Sequence, residues 1–272
     1  MRIAIYIGKR ELLSDSRFVS LVDALRKGGC TLDLLEDGQV PDEEDRLLLS
    51  VGGDGTFLSS SVLAAERGLP VVGVNLGRLG FLSENRPEDV ASAILNGDYT
   101  IENRTMLRAE VKTGNPVIDS WPYALNEVSV RRNGAAMLCV DVEIDGVCLP
   151  TYWADGLVIS TSSGSTAYSL SVGGPIVLPD SKVLIISPIA PHNLNVRPLV
   201  IPDSSEIVLK ISSRDGKFEF AADNRTCEVS EDVQVKVSVA QFSLKRVRLN
   251  SSNFINALTE KLFWGEDVRN IK

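Results

Sequence analysis

The chain has 272 residues, 44% hydrophobic and 24% charged, the balance of a globular protein with one large domain or two. Acidic residues outnumber basic ones 36 to 28 for a net charge of −8, which argues against a duplex-DNA or membrane-surface protein, since either would carry a basic face. A phosphorylated small molecule stays open, because a few local cations, backbone N–H groups and Mg²⁺ can hold one.

From the N-terminus, Arg2–Ile7 is a β-branched run that predicts a buried strand. Ser14 reads as an N-cap, with Phe18, Leu21, Val22 and Leu25 at helical spacing until Gly28-Gly29 stops the helix. Residues 31–35 read as a second strand. Six of the ten residues from 36 to 45 are acidic, and Gly38 and Pro41 break regular structure, so a solvated loop is expected. Residues 47–51 form the next strand and 56–67 a helix closed by Gly68, before the strand Val71–Val74 and a helix over 87–95. Strand-helix alternation of this kind predicts a parallel sheet with helices on both faces.

After about Tyr99 the segments become short and β-rich, at 108–112, 127–131, 139–144, 157–161, 182–186, 206–211, 217–220 and 233–239. Turn pairs such as Asp145-Gly146 and Asp215-Gly216 separate them. The fold class is therefore an α/β N-terminal domain with a parallel sheet (residues 1–99) and an all-β, sandwich-like C-terminal domain (100–252). Phe254, Leu258 and Leu262, four apart and followed by Phe263-Trp264, suggest that 253–272 forms a helix returning to the first domain.

Cys30, Cys139, Cys148 and Cys227 include no C-x-x-C pair and read as buried free thiols in a reducing compartment. The apolar run at the start is too short for a signal peptide, and no segment approaches the ~20 apolar residues of a membrane helix, so the expected location is cytoplasmic. The one histidine, His192, excludes His-rich metal sites.

Four segments carry chemistry. Gly52-Gly53-Asp54-Gly55-Thr56 follows a strand and opens a helix. Glycines there let a phosphate or ribose lie against the backbone, the helix N-terminus offers free N–H groups, and Asp54 supplies a carboxylate at the sheet's carboxyl edge. A tight turn alone would look similar. Residues 75–82 follow the next strand. Phe81 could wall a flat base or simply enter the core, and Arg78 could contact phosphate or face solvent.

Asn126-Glu127 offers the lone pairs and donors that read ribose hydroxyls, although a capped strand end would present the same pair. The stretch 155–175 runs from a strand into small hydroxyl residues and ends at Gly173-Gly174-Pro175, a cradle with little bulk. Ser165 lacks the second glycine of G-x-S-x-G, which disfavours a hydrolase.

Taken together, residues 52–56, 75–82, Asn126-Glu127, 155–175 and 188–199 resemble the bacterial NAD kinase family in order, spacing and length. The Gly164-Ser165-Thr166-Ala167-Tyr168-Ser169 block with Asn126-Glu127 is the specific part of that likeness. Gly-Gly-Asp-Gly alone is shared with lipid kinases.

The resemblance implies transfer of the ATP γ-phosphate to the 2′-hydroxyl of the adenosine ribose of NAD⁺, giving NADP⁺. Asp54 would orient and deprotonate the hydroxyl, while Mg²⁺ held mainly by the ATP phosphates neutralises the triphosphate. It further places Gly52, Gly53, Gly55 and Thr56 beside the nucleotide, Phe81 near the adenine and Asn126 and Glu127 on the adenosine. Asp155 would lie near the nicotinamide end, contributed across a subunit interface of a homodimer or homotetramer. Thr166, Ala167, Tyr168, Ser169 and Ser171 would line the dinucleotide site.

Two departures stand out. Thr161-Ser162-Ser163 lacks the proline of the family's Thr-Pro-Thr, which bears on loop stiffness. Asp223-Asn224-Arg225 replaces Asp-Gly-Gln and would bring a cation, Arg225, to the dinucleotide. A small-molecule kinase acting on another substrate, and a non-catalytic NAD(H)-sensing module, are the alternatives.

Overall fold

The computed structural model describes residues 1–36, 39–77 and 80–262. It divides the chain into two compact units, one of residues 1–103 with 244–272 and the other of residues 104–243. The chain thus rejoins the first unit at Leu244, inside the strand Val235–Leu249 and ahead of the helix that follows.

In the first unit, β1 (Arg2–Ile7), β2 (Thr31–Leu34), β3 (Asp45–Val51) and β4 (Val71–Val74) form a parallel sheet in the order β2-β1-β3-β4. Arg246 of the strand Val235–Leu249 pairs in parallel with Val71 at its edge. Both faces of this sheet are buried, which explains the continuous apolar runs of its strands. Ile3, Ile5, Leu47, Leu49, Val72 and Val74 pack on one face with Phe18, Leu21 and Leu25 of α1 (Ser16–Lys27) and Val90 and Ile94 of α3 (Pro87–Asn96). On the other face Gly73 meets Phe57 of α2 (Asp54–Ala64), where a Cβ would stand 3.1 Å from the ring.

Three boundaries differ from the sequence reading. Ser14 ends a 3₁₀ turn (Arg10–Ser14), and Asp15 caps α1 instead, accepting the Arg17 N–H at 2.9 Å. Asp45, expected in an acidic loop, is the buried first residue of β3. Helix α2 opens at Asp54 and not at Thr56, with Gly53 at its N-cap.

The second unit is antiparallel. One sheet runs Leu199–Pro202, Val183–Ile189, Gly156–Thr161, Glu127–Arg131, Lys217–Ala222, Arg225–Ser230. The other pairs Tyr152–Ala154, Leu138–Ile144, Ile207–Ser213 and the strand Val235–Leu249. Val128, Val130, Leu157, Phe218 and Phe220 of the first sheet and Leu138, Val140, Leu209 and Val237 of the second share one core, as in a sandwich. Asp145 (φ 50°) and Gly146 (φ 82°) make the tight turn expected of an Asp-Gly hairpin.

The cysteines are all free, and Cys30 alone of the four is buried. Cys148 is exposed, contrary to the expectation of four buried thiols. Among the described residues no helix is long and apolar enough to cross a membrane. The helix Phe254–Leu262 belongs to the first unit, while Phe263, Trp264 and the rest of 263–272 lie outside the described residues.

Candidate functional site: two carboxylate cradles

In the first unit the chemistry gathers at the carboxyl ends of β1 and β3, the place where the strand order of the sheet reverses and where open α/β sheets bind ligands. Gly8 N donates to Val51 O at 3.0 Å, so the two strand ends stay together. The Thr56 side chain lies over both, and a Cβ at Gly52, where φ is 150°, would come within 2.3 Å of its Oγ1. A Cβ at Gly53 or Gly55 would meet nothing within 4 Å, so at these positions glycine keeps open the space before the helix N-terminus.

Asp54 starts α2 and turns its carboxylate onto the loop after β4. Oδ2 accepts the Phe81 N–H at 2.8 Å, and Oδ1 accepts those of Leu82 at 3.0 Å and Ser83 at 2.9 Å. With two lone pairs per oxygen, Oδ2 keeps one for a further donor. The loop is closed at its base by two buried amides. Asn75 Nδ2 donates to Ser83 O at 3.0 Å and Asn85 Nδ2 to Gly73 O at 2.8 Å. Gly80 is required by proximity, since a Cβ there would fall 1.9 Å from Asp54 Oδ1. The Phe81 ring is half-buried, 6.2 Å from the Phe254 ring and 4.4 Å from Lys261 Nζ, so part of the wall it offers already faces the C-terminal helix. Arg78 lies outside the described residues.

The second unit repeats the arrangement. Asp223 sits in the hairpin turn before Arg225–Ser230 with φ 52°, a conformation disfavoured for residues other than glycine, asparagine and aspartate. Its Oδ2 accepts the Leu125 N–H at 2.8 Å. Its Oδ1 accepts those of Asn126 at 2.8 Å and Glu127 at 3.3 Å. Arg225 completes the grip from the same hairpin by donating to the carbonyls of Trp121 and Tyr123. Its guanidinium therefore serves the segment that delivers Asn126-Glu127. Sequence reading missed Asp223 in this role because its partners lie almost a hundred residues away.

Glu127 is among the groups of the unit whose titration burial shifts. Burial, helped by the neighbouring Asp223 charge, pushes its carboxyl up to about 8, against the Tyr168 N–H and Arg131, which pull it down. Its Oε2 is buried without a hydrogen-bond partner, as is Ser163 Oγ, a residue the sequence did not single out.

The hydroxyl-rich stretch forms two short turns, Ser163–Thr166 and Tyr168–Ser171. Many of its hydroxyls are spent on the fold. Thr161 Oγ1 donates to Leu125 O at 2.7 Å, Ser165 Oγ to Val177 O at 3.1 Å, Thr166 Oγ1 to Ser163 O at 3.4 Å, and buried Ser169 Oγ shares a hydrogen with Ser187 Oγ at 3.2 Å. Ser169 thus supports the loop from beneath. Thr166, Ala167 and Tyr168 are half-buried and Ser171 is exposed. Gly164 allows the loop to touch Asn126, whose carbonyl oxygen a Cβ would approach to 2.1 Å.

At the missing proline, Ser162 holds φ at −57°, the value proline imposes, and its Oγ donates to Pro179 O at 3.0 Å. Buried Ser165 and exposed His192 share no contact among those observed, so no serine nucleophile is set up here. Asp155 pairs with Arg132 at 2.9 Å. No group of three or more His, Cys, Asp or Glu side chains able to hold a metal ion occurs among the described residues.

Comparison with known proteins gives the family of the two units. Residues 39–99 match the ATP-NAD kinase N-terminal domain and residues 125–249 the ATP-NAD kinase C-terminal domain. The NAD kinase of Flavobacterium psychrophilum is 41% identical over 233 residues, 84% of this chain and 79% of that protein. The NAD kinase of Christiangramia forsetii is 38% identical over 266 residues, 96% of this chain and 90% of that one.

Among solved structures, an NAD kinase from Archaeoglobus fulgidus in complex with ATP superposes with a TM-score of 0.78 at 26% identity, covering 97% of this chain and 99% of that chain. Yeast NADH kinase complexed with NADH shares the fold, with a TM-score of 0.84 at 23% identity over 100% of this chain and 90% of that one. The chain belongs to the NAD kinase family.

Proposed function

We infer that the chain transfers the γ-phosphoryl group of ATP to the 2′-hydroxyl of the adenosine ribose of NAD⁺, releasing ADP and NADP⁺. The observation that carries this reading is the Asp54 carboxylate. It is fixed by three N–H donors at a helix N-terminus, beside open space, with one lone pair of Oδ2 unspent. Its relatives named NAD kinases and the ATP complex of the archaeal protein support the assignment of substrates.

Phosphoryl transfer asks chiefly for positioning and charge neutralisation. In the proposed step the ribose oxygen bonds to the γ-phosphorus as the bond to the bridging oxygen of ADP breaks, and the hydroxyl proton passes to Asp54 Oδ2. A carboxylate is far less basic than an alkoxide, so the proton is not drawn off before the oxygen commits to phosphorus. Asp54 therefore orients the hydroxyl first and takes the proton late. Mg²⁺, held mainly by the ATP phosphates, would offset the triphosphate charge.

In the second unit Asn126 and Glu127 bind the adenosine, with Thr166, Ala167, Tyr168 and Ser171 along the dinucleotide. A Glu127 carboxyl pushed up to about 8 is largely protonated at neutral pH, so it can donate as well as accept toward a ligand. The working form is a cytoplasmic homodimer or homotetramer in which Asp155 contributes across the subunit interface. The test is chromatographic detection of NADP⁺ after incubation with NAD⁺, ATP and Mg²⁺. Calorimetric binding of NAD⁺ without NADP⁺ formation would instead define a sensing module.

A further inference from the structure

The loop that cradles Asp54 is gripped from its other side by the end of the chain. Lys261, on the helix Phe254–Leu262, donates its Nζ to the Gly80 carbonyl and stands 4.4 Å from the centre of the Phe81 ring. Arg246 Nη2 reaches the Phe81 carbonyl at 3.4 Å and pairs with Glu84 at 2.6 Å, both side chains buried. Ser252 Oγ donates to the same Glu84 carboxylate at 3.0 Å.

The pairing is peptide by peptide. The carbonyl of Gly80 and the N–H of Phe81 belong to one peptide group, held at one end by Lys261 and at the other by Asp54 Oδ2. The carbonyl of Phe81 and the N–H of Leu82 belong to the next, held by Arg246 and by Asp54 Oδ1. Each peptide thus links a cation of the C-terminal segment to the carboxylate. A hydrogen bond to a peptide carbonyl polarises the group and strengthens the bond its N–H donates, more so when the outer partner is charged.

We propose that Lys261 is a positioning residue for Asp54, acting through the peptide joining Gly80 to Phe81. It touches neither substrate. Its ammonium fixes that peptide, and the peptide fixes Oδ2, the oxygen with the spare lone pair. The inference rests on the kinase reading above and adds to it a residue in the last helix, outside the glycine loop and the hydroxyl-rich stretch. Misplacing a reacting group by about an ångström costs up to ~10²-fold in rate, so loss of this grip should be visible in turnover.

The test compares Lys261→Met, which keeps an apolar stem over Phe81 without the charge, with Lys261→Arg. Lys261→Met should lower kcat about ten- to a hundredfold while the KM values for NAD⁺ and ATP stay within about twofold, and Lys261→Arg should recover most of the loss. Amide hydrogen exchange on the substrate-free protein supplies the independent readout. The Phe81 and Leu82 N–H groups should exchange faster in Lys261→Met than in the wild type.

Unchanged turnover, or a loss of turnover with unchanged exchange at those two amides, would overturn the proposal. So would equal losses in both variants. A wild-type protein that formed no NADP⁺ would fail the kinase reading, a result distinct from any of these, and the exchange comparison would still report on the grip itself.

Discussion

Asp54 and Asp223 are bound in the same way in different surroundings. Each carboxylate accepts three consecutive backbone N–H groups, one on Oδ2 and two on Oδ1. Asp54 opens a helix beside glycines whose absent side chains leave space, whereas Asp223 sits in a hairpin turn with Arg225 fastened beside it. Identical hydrogen bonding therefore does not settle a residue's role. The surroundings of the two carboxylates differ: glycines that leave open space in one case, a hairpin turn with a fastened arginine in the other.

The sharpest way to break this comparison is to neutralise each carboxylate in turn. Asp54→Asn should lower kcat by about 10²–10⁴-fold with little change in NAD⁺ affinity, the usual reach of a general base. Steady-state kinetics in which the variant kept most of its turnover would remove Asp54 from the reaction. Asp223→Ala should act on the fold instead. Three N–H groups lose their acceptor, costing about 2–4 kcal/mol in denaturant unfolding, and NAD⁺ binding should weaken because Asn126-Glu127 is no longer held.

Glu127 sharpens the contrast through pH. Its folded value lies above its ordinary 4.5, at about 8, so the folded state holds an extra proton between the two. Stability from this group is full below about 4.5 and is lost as pH rises toward about 8. The loss should amount to about 2 kcal/mol between pH 6 and pH 8, and Glu127→Gln should abolish it in urea titrations.

The glycines facing the two cradles give the smallest effects. Gly80→Ala must push Asp54 aside and should cost about tenfold in kcat. Gly164→Ala must push Asn126 and should raise the KM for NAD⁺ instead. The reverse pattern would show that the two regions are not separable in function.

What the sequence revealed follows from how local each signal is. Arg2–Ile7 and Val71–Val74, apolar runs, and Glu127–Arg131, which alternates, are bounded as expected, because such local patterns need no long-range information. The strand Tyr99–Glu110 begins well before the expected 108, in a polar stretch that pairing and not apolarity makes extended. Arg225–Ser230 passed unnoticed for the same reason, since exposed residues alternate with half-buried ones and only Val229 is a buried apolar residue.

Asp54 could be picked out because strand, glycines and carboxylate are contiguous. The grip of Asp223 and Arg225 could not be, nor could that of Lys261, since each acts on backbone groups far off in the chain whose identity leaves no mark in sequence. The missing proline shows the converse. Ser162 keeps a proline-like φ and its hydroxyl donates to Pro179 O, so a residue change that bore on loop stiffness left φ where proline would put it.

The late return of the chain to its first unit has a consequence for biosynthesis. Translation at about 5–20 residues per second delivers Arg246 and Lys261 roughly ten to forty seconds after the glycine loop has been made. A nascent chain therefore carries Asp54 and its glycines long before the loop that cradles the carboxylate can receive its grip from Arg246 and Lys261.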